Sequence, residues 1–172
     1  MICPSCTHDN IPGVETCEEC GQSLSEAYQD WGSEEFQELL TEPLSVLNPR
    51  TPVCVTPTAS LAEVISLLQG KNIGCVLVTG EKGELVGIFT ERDVLYRVAG
   101  LIRNLGQITV ESLMTHRPTA LSLSAAIQHA LHLMSIHGFR HVPLLDEGDR
   151  PVGFVSFRDI VRFIEKNFTS AN

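Results

Sequence analysis

Gly87–Asp93 reads GIFTERD, and Gly153–Asp159 reads GFVSFRD. Each is a glycine, two apolar residues and a hydroxyl residue, with arginine and aspartate two and three positions later. The stretches lie 66 residues apart, and the same offset keeps their surroundings in step without a gap. Pro52 falls on Pro118, Thr56 on Ser122, Thr58 on Ser124, Leu67 on Leu133, Val86 on Val152 and Arg92 on Arg158. A repeat this long and ungapped is one structural unit used twice.

Each copy orders its elements alike. A short extended piece, Val53–Val55 or Ala120–Ser122, leads to an amphipathic helix. Leu61, Val64, Ile65 and Leu68 recur at helical spacing in the first copy, and Ile127, Ala130, Leu131 and Met134 in the second. Ser60 and Glu63 have capping-box spacing, but Ser60 aligns with Ala126. Thr58 and Ser124 keep a hydroxyl in both copies and are the expected caps. Two apolar strands follow, Cys75–Val78 with Leu85–Phe89 and Val142–Leu145 with Val152–Val155, joined by the turns EKGE and DEGDRP. A second helix closes each copy, over Arg92–Leu105 and Arg158–Asn167. The expected fold is α+β (α/β-like), two pseudo-symmetric β-α-β-β-α repeats.

The chain of 172 residues has room for one ordinary domain and a small appendage. The organisation expected is 1–24, a cysteine module; 25–43, an acidic linker; 44–107, repeat one; and 108–172, repeat two. Residues 1–49 contain ten acidic residues and no Lys or Arg, whereas residues 50–172 carry eleven acidic and twelve basic residues. An acidic first third repels a phosphate backbone, so long nucleic acid is a poor partner. Apolar runs such as CVLV are too short to span a bilayer, and no basic-then-apolar segment opens the chain. A cytosolic protein is expected.

Four of the six cysteines form Cys3-x2-Cys6 and Cys17-x2-Cys20. Two such pairs can converge on one tetrahedral ion, and four thiolates favour Zn2+, with iron the alternative. About twenty residues bury too little apolar surface to fold unaided, so the metal supplies folding energy. Pro4 and Gly21 suit turns that aim amides at the sulfurs. The stretch resembles small zinc-ribbon modules of pattern CPxC…CxxCGxxL, departing at Thr7, where glycine is usual. His8 reads as surface, since four cysteines complete the shell. The lack of Lys and Arg points to scaffolding or protein contact.

In the linker, Ser33 can cap a helix with Glu34 and Glu35 in its first turn, Phe36, Leu39 and Leu40 as an apolar stripe, and Pro43 as its stop. It either docks on the next domain or, with Trp31, anchors a partner.

GIFTERD, GFVSFRD, the RHVP of Arg140–Pro143 and the LMTHRPTALS that starts at Leu113 together resemble a tandem pair of CBS domains, the modules named after cystathionine β-synthase. The resemblance covers residues 44–168. It implies two copies paired about a pseudo-two-fold axis, clefts that take AMP, ADP, ATP or S-adenosylmethionine, a regulatory rather than enzymatic role, and a homodimer. Carried onto this sequence, Asp93 and Asp159 accept hydrogen bonds from ribose hydroxyls, and Thr90 and Ser156 sit near phosphate. Thr56 and Ser122 line the clefts, the peptides of Cys75–Leu77 and His141, Val142 and Pro143 face adenine, and Arg92, Arg140 and Arg158, with Arg50 and Arg117, can neutralise phosphate. A carboxylate grips a cis-diol through two hydrogen bonds, and a helix N-terminus offers amides to phosphate. The glycine opening each motif lets backbone approach a flat base. Thr90-x-x-Asp93 and Ser156-x-x-Asp159 are equally ordinary capping boxes, and both roles are compatible. His141-Val142-Pro143 completes the pattern in copy two, whereas copy one has Cys75-Val76-Leu77, so Asp159 marks the favoured cleft.

No phosphate loop, catalytic dyad or open metal position is seen, and His116 and His141 have no nucleophile placed beside them. Cys54 and Cys75 read as buried small hydrophobes. Val94, Leu95, Val98, Leu101, Ile102 and Leu105 would give the first long helix a wide apolar face suited to a dimer. A purely structural dimerising module is therefore the competing reading.

Overall fold

The computed structural model describes residues 3, 6–11, 14–24 and 34–169, so Pro4, Trp31 and Ser33 lie outside the described residues. The chain forms two compact units: Pro49–Ser122 with His141–Val155, and Met1–Asn48 with Leu123–Arg140 and Ser156–Asn172.

The first unit holds both sheets. β1 (Cys54–Val55), β2 (Cys75–Thr79), β3 (Leu85–Thr90) and β4 (Thr115–His116) pair in that order. β5 (Leu121–Ser122), β6 (His141–Leu145) and β7 (Pro151–Ser156) form the other sheet. The repeat persists in the ladders: β1 runs parallel to β2 with Val55 opposite Val78, and β5 runs parallel to β6 with Leu121 opposite Leu144. A mixed α/β architecture results.

β2 is apolar on both faces, and Cys75–Val78 are all buried, as befits a strand flanked on both edges. Val76, Val78 and Phe89 join Leu61, Val64 and Leu68 of α2 (Leu61–Lys71) in one core. α2 is capped by Ser60, whose side chain accepts from the Glu63 amide at 3.2 Å. Its next two amides, Leu61 and Ala62, bond the carbonyls of Ile108 and Leu105. Thr58 therefore is not the cap; its hydroxyl lies 3.1 Å from that of Thr56. Ser124 is not one either, because α4 (Ile127–His137) starts after Ala126 and has no side-chain cap. α2 and α4 end at Asn72 and Gly138, 66 positions apart and both left-handed, so the repeat extends to its helix stops.

The long helix expected over Arg92–Leu105 does not form. α3 spans Glu91–Asp93, followed by a π-helical turn, Val94–Val98, closed by the Ala99 amide on the Val94 carbonyl at 2.8 Å. Ala99 is extended and Gly100 has φ +76°, which ends the helical path. Val94, Ile102 and Leu105 turn onto the core, while Leu95 and Leu101 are exposed, so the single apolar face is divided. Copy two has the regular helix: α5 runs Phe157–Thr169.

The second unit contains α1 (Glu34–Thr41), α4 and α5. α1 packs on α4, which favours the docking reading of the linker helix. Among the described residues no helix is long and apolar enough to cross a membrane.

Candidate functional site

The two cysteine pairs are built alike, at an offset of fourteen residues. The Thr7 amide bonds the Cys3 carbonyl at 3.0 Å, as Gly21 bonds Cys17 at 2.9 Å. The Cys3 amide bonds the His8 carbonyl at 2.8 Å, as Cys17 bonds Gln22 at 2.6 Å. Both closing residues are left-handed, Thr7 at φ +61° and Gly21 at φ +71°. A β-branched residue pays there for what glycine adopts freely. Thr7→Gly is thus expected to tighten metal binding about threefold to tenfold, read by competition with a chromophoric chelator.

The four sulfurs lie within 4.8 Å of one another, and the cross-knuckle pairs Cys3–Cys20 and Cys6–Cys17 are each 3.6 Å apart. A disulfide needs about 2.05 Å. A tetrahedral four-thiolate zinc, with Zn–S near 2.3 Å, has sulfur–sulfur edges of about 3.8 Å, so the spacing fits the ion. Burial raises the Cys17 thiol, but the amides of Cys20 and Glu19 with the Asn10 and Cys6 side chains outweigh it and hold it at about 6. Cys6 and Cys20 are raised, first by burial and then by the sulfurs of Cys3 and Cys17. The Cys17 thiolate is thus favoured while Cys6 and Cys20 resist ionisation, which a divalent cation would reverse. Metal bound here would be structural, since four thiolates leave no open position.

Asn10 escaped the sequence reading. It is buried, donates to the His8 carbonyl at 3.0 Å and accepts from the Glu18 amide at 2.9 Å, tying one knuckle to the other. His8 is half-buried rather than on the surface, and its imidazole is not in the cysteine group.

The two hydroxyl–aspartate motifs are reciprocal capping boxes. Asp93 Oδ2 accepts from the Thr90 amide at 2.9 Å and the Thr90 hydroxyl at 2.7 Å, and the Asp93 amide donates back to Thr90 Oγ1 at 3.3 Å. The Asp159 carboxylate repeats this on Ser156 at 3.0, 2.6 and 3.3 Å. The copies differ one turn on. Arg97 places Nε 3.4 Å from Asp93 Oδ1 and donates to the Leu113 carbonyl at 2.6 Å. The position one turn after Asp159 is Phe163.

Thr90, Arg92, Asp93, Thr56, Ser122, His141, Val142 and Pro143 fall in the unit with the sheets. Arg140, Ser156, Arg158 and Asp159 fall in the other, where the Phe157 amide bonds the Arg140 carbonyl at 3.0 Å. Thr56, Ser122 and the five motif arginines are exposed, and Arg92 lies 5.5 Å over the Tyr96 ring. His141 packs its ring edge against the Gly74 backbone, where a Cβ would come within 2.6 Å of Nε2, and tilts against Phe154 at 6.0 Å. Val142 and Pro143 are buried. The Leu77 amide bonds the Val53 carbonyl at 2.9 Å, whereas Pro143, its counterpart, has no N–H to donate.

The motif glycines make room for close chain packing. A Cβ on Gly87 would overlap the Met114 sulfur, and one on Gly153 would meet Pro49 Cβ at 3.0 Å. Cys75 is buried, and burial with the Glu91 charge pushes its thiol up to about 12. Cys54 is exposed, contrary to its apolar setting, because β1 is an edge strand.

The CBS domain family model matches residues 45–100 and 110–166, and the chain belongs to that family as a tandem pair. A protein of Methanopyrus kandleri, MK0525, is 26% identical over 113 residues, 66% of this chain and 58% of that one. This chain thus spans less than two thirds of that relative. The CBS-domain containing protein ATU1752 of Agrobacterium tumefaciens is 34% identical, with TM-score 0.63, covering 69% of this chain and 94% of that one. The CBS domain pair of protein MJ0100, solved with 5′-methylthioadenosine and S-adenosyl-L-methionine, is 27% identical, with TM-score 0.65, over 74% and 98%.

Proposed function

We propose that the chain is a non-enzymatic regulatory module that binds an adenosine-containing ligand through its CBS repeats and holds a structural zinc on Cys3, Cys6, Cys17 and Cys20. Its organisation is a zinc ribbon over 1–24, a linker over 25–43 and repeats over 44–107 and 108–172. The observation that carries the ligand reading is the duplicated hydroxyl–carboxylate motif in a chain 27% identical to a CBS pair solved with two adenosine derivatives.

Asp93 and Asp159 are assigned to ribose hydroxyls, Thr90 and Ser156 to phosphate or its surrogate. Thr56, Ser122, Arg92, Arg140, Arg158 and His141–Pro143 complete the contacts. The second motif is the principal one. The His141-Val142-Pro143 pattern is complete only in copy two. Ligand shifts the module between states in proportion to its differential affinity for them.

Asp93→Asn and Asp159→Asn separate ligand contact from capping. Each variant keeps an acceptor at the box and is expected to melt within a few degrees of the parent without ligand. Asp159→Asn should weaken the best-binding adenosine ligand by about tenfold or more in calorimetric titration, and Asp93→Asn by less. Equal loss of apo stability in both variants, with affinity unchanged, would leave the aspartates as caps. That outcome would favour the purely structural module.

A further inference from the structure

We infer that helix α4 carries a docking surface for the chain's own metal-loaded second knuckle, so that metal loading governs how firmly this helix of repeat two is held. The inference rests on the zinc reading of the four cysteines and adds a consequence for residues outside them. His132 Nε2 lies 2.8 Å from the carbonyl oxygen of Cys20. A carbonyl only accepts, so Nε2 carries the proton. One turn on, Ile136 reaches the next residue of the knuckle: a Cβ built on Gly21 would sit 3.6 Å from Ile136 Cδ1. Leu133 and His129 line the same cleft opposite Cys6 and Cys20.

The other end of α4 leans on the same N-terminal segment. Ala126 offers no side-chain cap, and the Ile127 amide instead donates to the Glu42 carbonyl at 2.9 Å. Leu44 and Ser45 amides bond the carbonyls of Ala125 and Leu123 at 2.8 and 3.0 Å. At the knuckle, the position of the Cys20 carbonyl and the left-handed turn at Gly21 are properties of the coordinated loop. A loop of about twenty residues has no apolar core to hold that shape unaided. Removing the ion therefore removes His132's acceptor and Ile136's apolar neighbour together. Linkage makes the coupling reciprocal: a firmly held α4 tightens metal binding by the same factor. α4 also packs on α5, whose first turn carries Asp159.

Hydrogen exchange on the full chain tests this, with zinc added or removed by chelation and metal content measured alongside. Zinc-loaded wild type is expected to protect amides of Ile127–His137 about tenfold over the metal-free chain. His132→Ala with Ile136→Asp, both outside the ligand set, should still bind one zinc per chain but lose most of that difference; His132→Ala alone should lose part of it. Identical α4 exchange in zinc-loaded and metal-free wild type, or a double variant that keeps the full difference, would overturn the inference. Absence of zinc from the wild type, with no thiolate charge-transfer band on cobalt titration, would sink the metal reading itself and the inference with it.

Discussion

A Cys17→Ser chain is expected to purify without stoichiometric zinc, its affinity lowered more than about a hundredfold. Cys17 is buried, and it is the thiol that the Cys20 and Glu19 amides and the Asn10 side chain favour as thiolate. A serine oxygen is a harder and far less acidic ligand, and the shorter C–O bond leaves the sulfur's place unfilled. Donors aimed at a lost thiolate are left poorly paired in a buried site, at about 1–3 kcal/mol. Elemental analysis after desalting reads the outcome directly. One equivalent of zinc retained by this variant would contradict the assignment of Cys17.

Phe89→Ala should cost the sheet-bearing unit about 3–5 kcal/mol, lowering its melting midpoint by roughly 12–40 °C. Phe89 is fully buried, pairs across the ladder with Val76 and packs with Val55, Leu61, Val64 and Leu68. It directly precedes Thr90, so the cavity would also loosen the anchor of the Thr90–Asp93 box. Urea or thermal unfolding followed by circular dichroism measures the loss. A shift below about 1 kcal/mol would mean that β3 is not the core strand of that unit.

Much of this was readable in the chain. The 66-residue offset fixes the strand pairs because register follows the apolar pattern: Val55 against Val78 recurs as Leu121 against Leu144. The cysteine spacing likewise brings four sulfurs within 4.8 Å of one another. What escaped depends on tertiary partners. Apolar periodicity runs on through Leu105, yet Gly100 turns the backbone and Ile102 and Leu105 face the core from outside a helix. Repeat alignment pointed to Thr58 and Ser124 as caps, but α4 takes its first partner from Glu42, some 85 residues earlier, which no local pattern encodes. Asn10 and His132 act through backbone carbonyls and amides and therefore belong to no motif. Thr7 is the reverse case: its departure from the glycine pattern marks a position whose left-handed backbone is now plain.

The regulatory reading turns on whether an adenosine derivative binds. The direct measurement is calorimetric titration of the zinc-loaded full chain with AMP, ADP, ATP and S-adenosylmethionine in turn. At least one should titrate saturably, at no more than two sites per chain, and lose most of its affinity in Asp159→Asn. No heat from any of the four, on protein that melts cooperatively and carries its zinc, would contradict the account.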